Sequence, residues 1–255
     1  INQANLISSE RTMCALLQTD DPINPYLLIL NSHFSCCDND EDRQEQVDEL
    51  VQVLREWRLN DNGPFDLPEG TPMFHVGDFN FVGYSQQVET LRAGNILDEG
   101  EYGPDFLPDW DNTEIIDLLS RQTHKRMSYT WRRDDGCCSP AKLDYIFFSD
   151  ATLEIGNHYI LNTLAMDNVT LSNYSLELYD THVASDHLPR VVDIFIDDNN
   201  LGDVNLDGLL NILDVVELVY IIMAEGEYIL SGDINGDDYL NILDVIQLIT
   251  IILAS

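Results

Sequence analysis

Two stretches near the C-terminus repeat one short pattern, and this repeat constrains the fold more than any other feature. Residues 203–214 read Asp-Val-Asn-Leu-Asp-Gly-Leu-Leu-Asn-Ile-Leu-Asp, and residues 233–244 follow the same pattern. In both copies, oxygen-bearing side chains stand at positions 1, 3, 5, 9 and 12. This spacing surrounds one hard cation with oxygen atoms, so each copy predicts an ion-binding loop.

The predicted ions are two Ca²⁺, one for each loop. Three carboxylates within about 4 Å of one another repel by roughly 4 kcal/mol per pair at an effective dielectric near 20. No Lys or Arg follows Arg190 to offset this repulsion, so we expect the segment to fold with calcium. The predicted ligands are Asp203, Asn205, Asp207, the carbonyl of Leu209, Asn211 and Asp214 in the first loop, and Asp233, Asn235, Asp237, the carbonyl of Tyr239, Asn241 and Asp244 in the second.

An apolar helical pattern follows each loop, and we expect the two helices to pack on each other. Both apolar runs are too short to span a membrane, which needs about 20 residues. The predicted contact residues are Leu210, Leu213, Val216, Leu218 and Ile221 in the first helix, and Leu240, Leu243, Ile246, Ile249 and Leu253 in the second.

The duplicated loop and helix over residues 201–255 resemble a type I dockerin domain. The resemblance implies a small all-α calcium-loop module that binds a cohesin-like partner on a scaffold or cell surface. Loop positions 10 and 11, which help choose the partner in that family, are Ile212-Leu213 and Ile242-Leu243 here. They are apolar, in contrast to the polar pair of many dockerins. A purely structural calcium knot is the alternative.

The chain of 255 residues carries a formal net charge of −34. Such an acidic balance disfavours a broad polyanion-binding face. It suits an extracellular, calcium-rich or high-salt setting, or simply ordinary solubility. Five basic residues nevertheless cluster in one region, either to hold a phosphorylated ligand or as a solvated loop: Arg121, Lys125, Arg126, Arg132 and Arg133.

The five cysteines are Cys14 and the adjacent pairs Cys36-Cys37 and Cys137-Cys138. Neither pair has the spacing of a zinc knuckle. A bridge between the pairs, as in a secreted protein, and buried free thiols are both compatible with the sequence. No signal peptide is visible.

The front of the chain alternates strands with few helices, which favours an α/β layered sandwich. Apolar runs predict strands at residues 9–18, 26–31, 73–76, 142–149 and 190–196, and helical periodicity predicts a helix at 42–58. A second helix is predicted between Ser85, as its N-cap, and Gly94, and residues 60–71 and 100–110 read as loops. We place this domain at residues 1–198, the calcium-loop domain at 199–255, and a linker at 197–201.

Four short motifs place polar groups at the ends of these apolar strands, each after a strand: Asn31-Ser32-His33, Gly77-Asp78-Phe79-Asn80, Leu143-Asp144-Tyr145-Ile146 and Ser185-Asp186-His187-Leu188-Pro189. Buried strands avoid Asp and His unless these groups are paired or bind metal. Each motif alone is more often a turn, but the four together in this order indicate one site.

These motifs resemble those of the endonuclease/exonuclease/phosphatase family of metal-dependent phosphoesterases, over residues 11–196. Tyr129-Thr130-Trp131 is also frequent in that family. The resemblance implies two β-sheets packed face to face with helices outside. It also implies hydrolysis of a phosphoester, with a general phosphodiester, nucleic acid included, ranked just above a phospholipid headgroup.

The resemblance further implies a role for each motif residue. His187 would accept or relay the proton of the attacking water, and Asp144 would orient its imidazole. Asp186 would help to hold Mg²⁺ or Mn²⁺, and Asp78 would contact the metal or position the water. Asn80 and His33 would donate hydrogen bonds to the phosphoryl oxygens.

One departure from that family divides the functional hypotheses. Its members begin with a strand that bears Asn and a strand that ends in a metal-binding Glu, and this chain has no match for either; Glu10 precedes a strand. We therefore expect an N-terminally truncated domain. The first hypothesis is a tethered extracellular phosphodiesterase or nuclease, and the second is a degenerate, non-catalytic binding or scaffold component.

Overall fold

The computed structural model describes residues 2–18, 26–60, 62–83, 85–133, 136, 138–196, 202–205, 209–224, 226, 229–235 and 239–254. These residues form two compact units, one up to Ile196 and the other from Gly202 onward. The predicted linker, 197–201, and the predicted boundary within it lie outside the described residues.

Within these ranges the chain forms β-strands and α-helices that we number in chain order. The strands are β1 (Asn2–Asn5), β2 (Thr12–Gln18), β3 (Tyr26–His33), β4 (Met73–Asp78), β5 (Ile116–Asp117), β6 (Asp144–Phe148), β7 (Leu153–Ile160) and β8 (Arg190–Ile196). The helices are α1 (Asp40–Asn60), α2 (Ser85–Ala93), α3 (Glu99–Tyr102), α4 (Asn168–Asn173), α5 (Asp180–Ala184), α6 (Ile212–Met223) and α7 (Ile242–Ala254).

The first unit is a mixed α/β fold with a central sheet and flanking helices. Six strands form this sheet in the order β1-β2-β3-β4-β6-β5, and β7 and β8 form a separate antiparallel pair. Strands β3 and β4 are parallel, and every other pair in the six-stranded sheet is antiparallel. Two sheets were predicted, and among the described residues the second sheet consists only of β7 and β8.

The six-stranded sheet is covered on both faces, because its strands carry apolar side chains in both directions. In β3, Leu28 and Leu30 join a core with α1 and α2. Leu27 and Ile29 point to the opposite face, where they pack with Leu153 and other residues of β7 and β8. This double burial explains why the strand appears in the sequence as an unbroken apolar run.

Most of the predicted elements are confirmed. Helix α1 forms because Val47, Leu50, Val51, Leu54 and Trp57 fall on one face, and all five are buried. The five predicted strands are present as β2, β3, β4, β6 and β8, with shifted ends. The predicted second helix is α2, which begins at the expected N-cap residue.

Several elements differ from the prediction. The strand predicted from residue 9 begins only at Thr12, because Glu10 adopts a left-handed φ of 55° and its N–H bonds to the carbonyl of Ile7. The predicted loop at 100–110 overlaps the short helix α3, where Asp98 accepts hydrogen bonds from the first backbone N–H groups. The polar edge strand β1 and the strands β5 and β7 were not predicted.

The second unit contains α6 and α7, which pack on each other as expected. The predicted packing face was correct only in part, for Leu218 in the core and for Ile221 and Leu240, which pack against it. Its core contains Val215 and Leu218 of α6 with Val245 and Leu248 of α7. Both helices are apolar nearly all round, so spacing alone did not single out the buried face. Of the predicted contact residues, those that are exposed instead are Leu210, Leu213, Val216, Leu243, Ile246, Ile249 and Leu253.

Two further expectations can be examined on the described residues. In this part of the chain, no helix is long and apolar enough to cross a membrane. Cys36 and Cys37 are exposed free thiols, so they form no bridge to the other pair, and the alternative of buried thiols is also wrong for them. Cys14 is buried, and Cys137 lies outside the described residues.

Candidate active site

Three acidic or imidazole side chains meet at one edge of the central sheet. Asp78 ends β4 and Asp144 begins β6, and the two are direct partners in this antiparallel pair. His33 ends β3 and is the parallel partner of Asp78. The expectation that every motif follows a strand was wrong: Asp144 opens its strand, and His187 precedes β8. They reach the same edge because β6 runs opposite to β4.

The imidazole of His187 lies between the two aspartates. Its Nδ1 is 2.9 Å and 3.1 Å from the two carboxylate oxygens of Asp144. Its Nε2 is 3.8 Å from Oδ2 of Asp78. The Asp144 contact fits a neutral ring with the proton on Nδ1, which leaves Nε2 as a proton acceptor.

Gly77 lets β3 and β4 approach closely just before Asp78. Its φ is 143°, and a Cβ at this position would overlap the carbonyl oxygen of Ser32. Only glycine adopts this backbone conformation readily. The Gly-Asp sequence therefore sets the position of the carboxylate through the backbone.

Thr130 and Trp131 join the loop of His187 to the start of β6. The hydroxyl of Thr130 accepts hydrogen bonds from the backbone N–H groups of Leu143 and Asp144, and its carbonyl accepts one from Leu188. Trp131 forms an antiparallel bridge with His187. The Tyr-Thr-Trp motif was noticed in the sequence, but this bracing role was not predicted.

Arg190 is a second supporting residue that the sequence analysis missed. Its guanidinium donates to the carbonyl of Asp144 at 3.1 Å, to that of Leu118 at 2.6 Å and to Oγ of Ser120 at 3.0 Å. Burial lowers its pKa. The available signal was an arginine at the start of an apolar strand, but such a residue is usually solvated.

The charges of the site shift two pKa values upward. Burial, followed by the nearby charge of Asp144, raises the pKa of Asp78. The hydrogen bond that His187 donates to Asp144 is the largest cause that raises the pKa of His187, and the charges of Asp78 and Asp186 act in the same direction. His187 is therefore a stronger base than an isolated imidazole.

The remaining motif residues lie around this centre. Nε2 of His33 is 3.8 Å from Oδ2 of Asp78, and the His33 side chain is 70% exposed. Asn80 has a left-handed φ of 51°, and its backbone N–H donates to Asp78. One hydrogen of its amide goes to the carbonyl of Phe34 at 3.0 Å. The second amide hydrogen is the one that a phosphoryl oxygen could accept.

Asp186 is oriented by Trp131, whose indole N–H donates to Oδ2 at 3.0 Å. Among the described residues, no group of three or more His, Cys, Asp or Glu is arranged to hold a metal ion. Mg²⁺ commonly binds through one or two carboxylates together with water and substrate phosphate. Asp78 and Asp186, whose charges both raise the pKa of His187, are the two carboxylates that would hold such an ion.

The predicted calcium loops are described only in part, because Asp207 and Asp237 lie outside the described residues. In the first loop, Asp214 accepts hydrogen bonds from the backbone N–H groups of Val204, Asn205 and Asn211. In the second loop, the equivalent Asp244 accepts from Asn235 and Asn241. The side chain of the last aspartate in each loop thus accepts hydrogen bonds from the backbone near the start of the same loop.

The other predicted calcium ligands differ in their surroundings. Asp203 and Asp233 are almost fully buried, with 2% and 3% of their surface exposed. The side-chain oxygens of Asn211 and Asn241 each accept from a helical N–H two residues later, and their amide groups donate to the carbonyls of Leu209 and Tyr239. Both asparagines therefore act as helix caps.

A cleft of about 690 Å³ lies beside α1. Acidic residues dominate its lining, and none of the lining residues is basic. Such a cleft would repel a phosphate group. The site at His187 is thus the better candidate for phosphoester chemistry.

No protein-family model matches the chain, and no curated protein matches it. Among solved structures, TDP2 of D. rerio in complex with a single-stranded DNA product is 15% identical, with a TM-score of 0.39 over 72% of this chain and 61% of that chain. The human Nocturnin catalytic domain with bound sulfate is 16% identical, with a TM-score of 0.42 over 77% and 59%. An endonuclease/exonuclease/phosphatase family protein from Bacteroides thetaiotaomicron is 14% identical, with a TM-score of 0.36 over 59% and 45%. This chain spans less than two thirds of each of these proteins, and its structural neighbours are enzymes of the endonuclease/exonuclease/phosphatase type.

Proposed function

We propose that the first unit is a metal-dependent hydrolase of phosphoester bonds, of the phosphodiesterase or nuclease type. The observation that carries the proposal is the position of His187, with Nδ1 on Asp144 and Nε2 3.8 Å from Asp78. A base oriented by one carboxylate and facing another is suited to activating a water molecule. The four-motif resemblance supports phosphorus as the centre that this water attacks.

In this mechanism, Nε2 of His187 takes a proton from the attacking water. Asp144 holds the ring in the required tautomer and stabilises the imidazolium that forms. Asp78 positions the water from the other side. The second amide hydrogen of Asn80 and the exposed ring of His33 donate to phosphoryl oxygens as negative charge develops.

Asp186 and Asp78 would hold Mg²⁺ or Mn²⁺ at this site. When bound, the ion supplies positive charge that stabilises the phosphoryl oxygens. Its positive charge would also offset the repulsion between the ionised carboxylates of Asp78 and Asp144, which are partners across β4 and β6.

The substrate we propose is a phosphodiester, with nucleic acid ranked just above a phospholipid headgroup. The exposed side chains of Arg121, Lys125 and Arg126 offer positive charge in a strongly acidic chain. The backbone N–H of Arg132 donates to the carbonyl of Asp186, which links the basic segment to the site. Phosphate contacts by such residues position a polyanion without reading its sequence.

The test is hydrolysis of bis(4-nitrophenyl) phosphate with Mg²⁺ or Mn²⁺, with DNA, RNA and sphingomyelin assayed in parallel. We expect turnover that EDTA abolishes and that His187→Ala reduces by about 10²–10⁴-fold. The matched control is His182→Ala, which removes an exposed imidazole from α5 and should leave the rate unchanged. An equal rate for wild type and His187→Ala would contradict the proposal.

The alternative function is a non-catalytic binding component. It is favoured by the lack of a group of three or more metal-binding side chains among the described residues. It predicts saturable binding of a phosphodiester, measured by calorimetry, with no turnover of any of the substrates above.

We propose that the second unit is a calcium-dependent attachment module that binds a cohesin-like partner outside the cell or at its surface. Asp203, Asp214, Asp233 and Asp244 are each no more than 3% exposed, although no Lys or Arg follows Arg190. Burial of ionised carboxylates is costly, and Ca²⁺ would neutralise their charge. Loop positions 10 and 11 are available to a partner, since Ile212, Leu213, Ile242 and Leu243 are all more than half exposed.

Calcium titration tests this second proposal on the whole chain. Removal of Ca²⁺ with EGTA should lower the helical circular dichroism, and return of Ca²⁺ should restore it with two bound ions per chain. Excess Mg²⁺ is the control for general ionic effects. If neither EGTA nor added Ca²⁺ changes the helical circular dichroism, calcium-dependent folding is contradicted.

A further inference from the structure

Two exposed thiols lie in contact in the loop between β3 and α1. The Sγ atoms of Cys36 and Cys37 are 2.8 Å apart, and both residues are free and exposed. The loop follows His33 and ends where α1 begins at Asp40. These two thiols are therefore accessible to a reagent in solution and to each other.

The backbone of this loop is fixed by side chains of α1 and of the loop itself. Arg43, which is completely buried, donates to the carbonyls of Ser35 at 2.8 Å and Cys37 at 3.0 Å. Asn39 donates to the carbonyl of Cys36 at 2.8 Å. The guanidinium of Arg43 is held in turn by Gln87 of α2 at 3.3 Å. Hydrogen bonds to the carbonyls of Cys36 and Cys37 thus fix the backbone of both cysteines.

Cys37 adopts an unusual conformation in this anchored loop. Its φ is 65°, in the left-handed region, which a residue with a Cβ seldom occupies. Such a conformation is strained and persists only when its surroundings impose it. Here the anchored loop holds the two sulfur atoms together.

We propose that Cys36 and Cys37 form a reversible disulfide with each other by exchange with a small-molecule disulfide such as oxidised glutathione. The thiolate of one cysteine attacks a sulfur of the reagent, forms a mixed disulfide and expels one glutathione thiolate. The second cysteine then attacks the sulfur of the first, forms the S–S bond between neighbours and expels the second glutathione thiolate. The two thiol protons pass to the departing thiolates, the protein loses two electrons, and the reagent gains them.

The covalent geometry of neighbouring residues makes this disulfide easy to reduce. Consecutive Cα atoms are about 3.8 Å apart across a trans peptide, whereas disulfide-bonded residues usually have Cα atoms about 4.4–6.8 Å apart. The bridge between neighbours is therefore strained, and strained, exposed disulfides are the labile ones. We expect a site that oxidises and reduces with its surroundings rather than a permanent structural bridge.

Cys14 is a poorer candidate for this exchange. Cys14 has no exposed surface, and burial raises its pKa to about 11, so little thiolate forms near neutral pH. The contact with Cys36 also raises the pKa of Cys37. The second step is still fast, because the attacking sulfur is already beside its target.

Mass spectrometry of the whole folded chain tests the proposal. The protein is incubated with oxidised glutathione, alkylated without reduction and cleaved before aspartate, which releases residues 21–37 with only these two cysteines. We expect this fragment to lack two hydrogens and to carry no alkyl group and no glutathione. If the oxidised protein is treated with dithiothreitol before alkylation, the same fragment should instead carry two alkyl groups.

Cys37→Ser provides the matched variant, since it leaves Cys36 without a neighbour. We expect its fragment to carry one stable glutathione on Cys36. The proposal is overturned if the wild-type fragment keeps glutathione, accepts two alkyl groups after oxidation, or is cross-linked to a fragment with another cysteine. The readout is independent of any hydrolytic activity, so it stands apart from the proposed function.

Discussion

Asp78 and Asp144 are direct partners in register across β4 and β6, so the sheet itself holds two carboxylates side by side. Their proximity contributes to the raised pKa of Asp78, although burial is the larger cause. His187 enters this pair from a loop and hydrogen-bonds to Asp144. The sheet thus provides rigid acids, and the loop provides the base that the proposed reaction needs.

Replacing Asp144 by Asn should weaken the base without changing the shape of the site. The hydrogen bond that His187 donates to Asp144 is the largest cause of the raised pKa of His187, so this pKa should fall in Asp144→Asn. We expect a loss of about 10²-fold or more in kcat on bis(4-nitrophenyl) phosphate. NMR titration of the His187 ring measures the pKa, and Asp193→Asn, in β8, is the control. An unchanged pKa would show that the hydrogen bond is not formed.

Replacing Arg190 by Gln should destabilise the protein and displace Asp144. The variant removes the guanidinium donor to the carbonyl of Asp144, and an unsatisfied buried group costs about 1–3 kcal/mol. The carbonyl of Leu118 also loses this donor but keeps the backbone N–H of Ser120. Urea unfolding measures the stability, and kcat is measured at a temperature where the variant remains folded. Arg92→Gln, which removes ion pairs of α2 with Glu89 and Glu114, serves as the control. A variant that matches wild type in both stability and kcat would remove Arg190 from the support of the site.

His75 should make the free energy of unfolding depend on pH. Its Nε2 lies 2.7 Å from Oγ of Ser32, its Nδ1 has no hydrogen-bond partner, and burial lowers its pKa to about 3. The unfolded chain binds a proton near pH 6.5, whereas the folded chain does not until about pH 3. Stability from this group is therefore present above pH 6.5 and is lost as pH falls toward 3, by up to about 1.4 kcal/mol per pH unit.

His75→Gln tests this dependence, because glutamine can still bond to Ser32 but does not titrate. Between pH 6.5 and 5, the free energy of unfolding of the variant should vary less with pH than that of wild type, whatever its absolute value. His182→Gln, at an exposed position of α5, should retain the wild-type slope. Parallel slopes for wild type and His75→Gln would mean that His75 titrates normally in the folded chain.

Asp214→Asn should weaken calcium binding by the first loop. Both carboxylate oxygens of Asp214 accept backbone hydrogen bonds, and an amide has only one oxygen to offer them. We expect the affinity of that loop for Ca²⁺ to fall at least about tenfold, while the Ca²⁺ affinity of the second loop stays unchanged. Calorimetric titration resolves the two sites, and Glu217→Gln on α6 is the control. Equal affinities in the variant and wild type would exclude Asp214 from ion binding.

The elements that were predicted correctly from sequence alone are those whose residue pattern is compatible with only one type of secondary structure. The apolar run of β3 and the one-sided periodicity of α1 each permitted one structure. Helices α6 and α7 defeated the same reasoning, since their apolar residues surround the whole helix. The polar strand β1 was missed because its side chains lie mostly at the surface and its partner, β2, decides its conformation.

The site could be predicted in its polar residues but not in its support. The strand-end motifs pointed to Asp78, Asp144 and His187, and the structure brings these together. Nothing local to Arg190 or Thr130 indicated that they would anchor Asp144 and its neighbours. Such bonds join segments distant in the chain, and no spacing rule reports them.

The hydrogen bond between Asp144 and His187 joins residues that are 43 positions apart. As the chain leaves the ribosome, both aspartates emerge well before the imidazole. The entropy of closing that long loop must be overcome before the pair can form, so completion of the centre is a late event in folding. A nascent chain that stops before His187 would carry the acids without their base, and any reaction at this centre must wait until nearly all of the first unit has been made.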